Sequence, residues 1–122
     1  MRDSLGPIAI HLDQQEIELL RSGLAEWGGP ANATPEVAVA MGFAGVEDLE
    51  VQARRLREAL KDSIPLGAAD WTRVLAATEV AFASNVLGSG LDWSSTVGLS
   101  DEATIRLLRQ LQRKLGSAIP KT

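Results

Sequence analysis

Between Val74 and Gly90 the chain runs VLAATEVAFASNVLGSG, and in those seventeen residues Glu79 is the only charge, although 23% of the whole sequence is charged. A segment this poor in charge cannot lie along a surface without exposing a continuous apolar patch, so any fold open to the chain must bury it. It is not a membrane span. Its longest apolar run, 80–83, is flanked by Glu79, Ser84 and Asn85, far short of the roughly 20 apolar residues a spanning helix needs. The spacing predicts a helix over 68–87, capped by Gly67 or Asp70 and stopped by Gly88-Ser89-Gly90. Ala76, Ala77, Ala81, Ala83 and Ser84 place small side chains on several of its faces, which lets neighbouring helices come close. The expectation is a buried central helix that the others wrap.

The remaining helices announce themselves by caps and stripes. Asp13 followed by Glu16 is a capping box, with Leu12 and Ile17 in staple positions, and Ile17, Leu20, Leu24 and Trp27 form one stripe before Gly28-Gly29-Pro30. A helix over 13–27 follows. Thr34-Pro35-Glu36 opens a short helix that Gly42 ends. Val46, Leu49, Ala53, Leu56 and Leu60 give the next helix its apolar face, ending near Asp62. The last begins at Ser100 and turns Ile105, Leu108, Leu111 and Leu115 inward until Gly116. Two segments alternate with period two, 8–12 and 91–97, and can pair as a small two-stranded ladder. The fold class is thus mostly α: one domain over 1–122, about five helices around 68–87, with 1–6 and 117–122 as loose ends.

Composition removes several functions. With no cysteine there are no disulfides, thiolate nucleophiles or cysteine metal sites, and His11 is the only histidine. No metal site and no cofactor is expected. The glycines do not follow strands at the spacing of a phosphate-binding or dinucleotide-binding loop, and Gly88-Ser89-Gly90 lacks the context of a nucleophile elbow. Sixteen acidic against twelve basic residues give a net charge of −4, the wrong sign for a nucleic-acid surface. Without an apolar leader, the chain is expected in the cytoplasm.

Three places carry the remaining functional signal. Glu79 shares a helix face with Thr72, Ala76, Ala83 and Val86; half-buried, it is either bridged to Arg54, Arg57, Arg106 or Arg109, or held free in a pocket for chemistry. Arg106, Arg109 and Arg113 form a basic stripe on the last helix, with Lys114 and Lys121 beyond, either as its wet face or as a dock for an acidic protein. Trp93, in the Ser- and Gly-rich loop from Gly88 to Gly98, is either a plug over the core or an interface anchor.

The segment 36–56, EVAVAMGFAGVEDLEVQARRL, places a short helix, a glycine turn and a longer helix in succession. It resembles the helix-turn-helix of bacterial transcription regulators, which implies DNA binding by the second helix. That helix opens with Glu47, Asp48 and Glu50, which repel phosphate. Three function classes follow. The first is a noncatalytic protein-interaction module of immunity, adaptor or regulatory type, in a bacterial setting, with a protein partner or a second copy of itself. The others are a DNA-binding regulator and a ligand binder or enzyme using a pocket near Glu79. The first needs no assembled catalytic group and is the reading the sequence favours.

Overall fold

The computed structural model describes residues 6–28 and 31–120. The described chain is helical: α1 (Gln14–Glu26), α2 (Pro35–Ala40), α3 (Val46–Lys61), α4 (Ala68–Ala83), α5 (Trp93–Val97) and α6 (Asp101–Ala118). The local caps explain the starts. Asp13 and Glu16 form the reciprocal capping box of α1. Thr34 Oγ1 accepts from the Val37 amide at 3.2 Å, and Ser100 Oγ accepts from the Ala103 amide at 3.1 Å. Each satisfies a backbone donor that a helix start leaves without a partner.

α1 shares the centre with the low-charge helix. It packs most extensively on α4 and α3 and also touches α6. Its buried face is Leu19, Leu20, Gly23 and Leu24, with the carboxylates Glu16 and Glu26. Gly23 sets the α1–α4 spacing: a Cβ there would lie 2.7 Å from Thr78 Cα, a distance no real side chain tolerates. α4 answers with Val74, Ala77, Thr78 and Ala81, all fully buried. The small residues do what their pattern implies, letting two backbones meet almost without side chains between them.

Three indole N–H groups staple the elements. Trp27 donates to the Ala77 carbonyl at 3.0 Å, Trp71 to the Ile8 carbonyl at 2.9 Å and Trp93 to Thr104 Oγ1 at 2.9 Å. Each buries a large apolar ring while satisfying its one polar atom. The α2–α3 turn is clamped to α4 by Arg73, whose Nε donates to the Gly42 carbonyl at 2.7 Å and whose guanidinium lies 5.9 Å over the Phe43 ring. Gly42 sits at φ 103°, a left-handed conformation that favours glycine.

Several expectations are corrected. The central helix stops at Ala83, not at 87: the Ser84 hydroxyl turns back to accept from the Leu87 amide at 2.9 Å, and Ser89 N–H reaches the Ala81 carbonyl at 2.7 Å. The 91–97 segment is no strand. It forms a 3₁₀ turn over Gly90–Asp92 followed by α5. Residues 8–12 therefore have no ladder partner there; Ile8 instead makes one antiparallel bridge to Leu66, its N–H bonding the Leu66 carbonyl at 2.7 Å. On α6 the inward set is Thr104, Leu107, Leu108, Leu111 and Leu115, and Ile105 faces out. Of the expected loose ends, 1–5 and 121–122 lie outside the described residues, while Ser117 and Ala118 continue α6.

Candidate functional site

The sequence candidates separate on folding. Trp93 is 0% exposed, meeting Phe82 edge-on with ring centroids 5.6 Å apart. It is a plug over the core, since a partner cannot reach it. Arg106, Arg109 and Arg113 are all exposed on α6. Glu79 is half-buried on α4, and its Oε2 accepts from Gln112 Nε2 at 2.7 Å. Gln112 Oε1 in turn accepts from Arg109 Nη1 at 2.8 Å. The arginine the charge pattern offered to Glu79 thus reaches it through an amide, which donates to the carboxylate at one end and accepts from the guanidinium at the other.

The three residues of this chain of bonds line a shallow cleft of about 250 Å³ between α4 and α6, together with Phe82, Ala83, Ile105 and Leu108. Ile105 is 48% exposed at its edge. The stripe of α6 therefore carries an exposed branched apolar residue beside Arg106 and one turn before Arg109. Glu79, the one carboxylate of the cleft, is already engaged, and no second acid or base stands beside it there. The arrangement suits recognition better than proton transfer, because general acid–base work needs a free group within hydrogen-bond reach of a substrate.

Two carboxylates buried more deeply than Glu79 escaped the sequence reading. Glu16 is 0% exposed. Its Oε1 accepts from Lys114 Nζ at 2.6 Å and from the Asp13 amide at 2.9 Å, while Oε2 is buried without a partner. Lys114 also donates to the His11 carbonyl at 3.2 Å. Glu26 is buried as well and accepts from the Ser89 hydroxyl. Glu16 was visible only as a capping residue and Lys114 only as a charge beyond the arginine stripe. Their pairing joins opposite ends of the chain, which no local pattern records.

His11 is exposed and borders an open groove of about 380 Å³ with Ile10, Ile64 and Trp71. No cluster of three or more histidine or carboxylate side chains suited to a metal occurs among the described residues, and no described helix is long and apolar enough to cross a membrane. In the 36–56 hairpin, Glu47 and Glu50 are exposed at the start of α3. Asp48 accepts from the Ala44 amide at 3.0 Å and from Gln52 at 3.3 Å. The backbone bond from Ala44 first, then Gln52, holds its carboxyl below the usual carboxylate range.

The chain has no significant match to any family model, curated protein or solved structure.

Proposed function

We propose that the domain is a noncatalytic protein-interaction module whose α4–α6 face receives an acidic, amphipathic partner segment. One observation carries the reading: Ile105, on the most regularly amphipathic helix of the chain, stands 48% exposed at the cleft edge, beside exposed Arg106 and one turn before exposed Arg109, instead of joining the core. An apolar contact flanked by guanidiniums is a common composition for a binding surface, since arginine supplies both charge and stacking area. The partner's carboxylates would pair with Arg106, Arg109 and Arg113, and its apolar residues would cover Ile105 and the Phe82 edge. The lack of cysteine suits a reducing compartment, and we place the protein in the cytoplasm of a bacterium on that reading.

The DNA-binding alternative has less support. Its reading helix would present Glu47 and Glu50, and an Asp48 held in its ionised form, toward phosphate, where cationic contacts supply most of the affinity. A catalytic pocket at Glu79 has less still, because Gln112 occupies its carboxylate.

The test compares baits. The wild-type domain and an Arg106→Glu/Arg109→Glu variant, shown by circular dichroism to fold alike, are used to capture proteins from native lysate. The expected result is a prey held by the wild type and depleted about tenfold or more on the variant and on Ile105→Ser, with an affinity that falls as salt rises. Identical prey profiles on all three baits would sink the proposal. Exclusive recovery of the domain itself would replace the heterologous partner with a second copy.

A further inference from the structure

The arginines of α1 and α3 present a different pattern from those of α6. Arg21 and Arg57 are both half-buried and both line a cleft of about 390 Å³ between α1 and the 97–99 connection. Arg21 Nε donates to the Arg57 backbone carbonyl at 3.1 Å. That bond fixes the plane of the guanidinium and leaves its outer N–H groups for other acceptors. Arg57 Nε is buried and has no acceptor. Among the described residues neither arginine has a carboxylate within ion-pair distance; Glu18 borders the cleft but is exposed and lies beyond that reach.

A second arginine-lined cleft, of about 400 Å³, shows what internal neutralisation looks like in this fold. There Asp70 Oδ1 lies 2.9 Å from Arg55 and 3.0 Å from Arg73, so both cations share a resident anion. The Arg21–Arg57 cleft has no such anion. Two guanidiniums, one of them tethered through Arg21 Nε, line a half-enclosed site with no bonded carboxylate to balance their charge, and an incoming anion supplies that balance. α1 adds the polar Gln15 and Ser22 and the apolar Ala25 to the lining, and the 97–99 connection and α6 supply the apolar Val97, Leu99 and Leu107. Gly98, at φ 85°, makes the turn that sets Val97 and Leu99 on the same cleft.

We propose that this cleft binds a small organic monocarboxylate, its carboxylate paired with Arg21 and Arg57 and its apolar body laid against Val97, Leu99 and Leu107. The planar fork of arginine matches a carboxylate edge to edge. A cleft of this volume lies within the range that encloses small ligands. A bare dianion fits less well, because half of the lining offers it no donor and Glu18 stands at the border. This site is separate from the α4–α6 face and does not depend on the reading given to that face.

The probe is octanoate, with octanol as the neutral control of equal chain length and inorganic phosphate as the anion without an apolar body. Each is titrated into the full chain while backbone amide shifts are followed by NMR. Octanoate is expected to give saturable shifts at Val97, Gly98, Leu99 and along 18–25, with octanol and phosphate binding about tenfold more weakly or worse. Arg21→Gln and Arg57→Gln should each weaken octanoate by roughly tenfold, the scale of one lost charge-assisted bond. Arg57 is half-buried with its Nε enclosed, so if Arg57→Gln does not fold, Arg21→Gln decides. Absence of shifts at this cleft, equal binding of octanol or of phosphate, or full octanoate affinity in Arg21→Gln overturns the assignment.

Discussion

The two flanks of α4 are built by opposite means. Toward α1 the contact is close and apolar, with Gly23 against Thr78 and a single indole bond from Trp27 to the Ala77 carbonyl. Toward α6 it is bridged by long polar side chains, Glu79 to Gln112 to Arg109, and a cleft of about 250 Å³ stays open between the helices. α6 does bury Leu107, Leu108, Leu111 and Leu115, but it is also fastened by ion pair and hydrogen bond, through Lys114 to Glu16 and Thr104 to Trp93. A seam made of small residues has no spare volume and no spare polar group. A seam made of long side chains keeps both, which is why surface features suited to a partner lie on the α6 side.

The sharpest way to break this comparison is to put volume into the closed seam. Gly23→Val places a branched side chain where even one Cβ lies 2.7 Å from Thr78 Cα, so α1 and α4 must move apart. We expect a loss of about 3 kcal/mol or failure to fold, at the upper end of overpacking costs, measured by urea unfolding. A loss under about 0.5 kcal/mol would mean that the seam is softer than its geometry implies.

On the α6 side the largest effect should come from charge. Lys114→Met leaves the fully buried Glu16 carboxylate with only the Asp13 amide on Oε1. Orphaning a buried charge costs about 3–5 kcal/mol. Lys114 is partly solvated and the capping bond persists, so about 2 kcal/mol is expected here. The double variant Glu16→Gln/Lys114→Met should recover part of the loss, because an amide is cheaper to bury unpaired than a carboxylate. A double variant as unstable as the sum of the single ones would show that the two residues act independently.

Glu79→Gln comes next and should be small. A glutamine there can still accept from Gln112, so only the charge on a half-exposed bond is lost, about 0.5–1 kcal/mol. This outcome separates the relay from a direct arginine bridge: Gln112→Ala should cost at least as much as Glu79→Gln, since it removes both bonds of the Glu79–Gln112–Arg109 chain while Glu79→Gln only takes the charge from one. If Gln112→Ala is silent while Glu79→Gln is costly, the relay is not what holds the carboxylate.

What was legible in the sequence follows the range of the interaction. The capping box at Asp13 and Glu16, the Thr34 and Ser100 caps and the apolar stripes of α1 and α3 are encoded within a few residues and can be read directly. The helix at 93–97 hid because five residues are too few to display a 3.6 period, and Leu91, Trp93 and Val97 happen to alternate with polar positions. Ile105 was placed inward because isoleucine is more apolar than its neighbour Thr104. The fold buries Thr104 instead, as its hydroxyl accepts the Trp93 indole N–H and donates to the Ser100 carbonyl at 2.9 Å. Glu16 and Lys114 meet across ninety-eight positions of sequence, and a contact of that separation leaves no local mark. The candidate surface was legible only in part: the arginine stripe could be seen, but not the exposed apolar residue beside it.

That residue supplies the mildest prediction and the one that bears most directly on the two flanks. If the α6 side is kept open for a partner, Ile105→Ser should leave the isolated domain within about 0.5 kcal/mol of the parent, as exposed substitutions away from special contacts usually do. Leu108→Ser, three positions on and buried at the same cleft, should cost several times more, because it removes packing and strands a hydroxyl in an apolar setting. Urea unfolding of the pair gives the ratio. A near-neutral Ile105→Ser beside a costly Leu108→Ser means that the core ends at Leu108 and that Ile105 is surplus to the fold. Equal costs would mean that Ile105 belongs to the core after all, that the α6 flank is as closed as the α1 flank, and that the interaction surface proposed for it has no apolar centre.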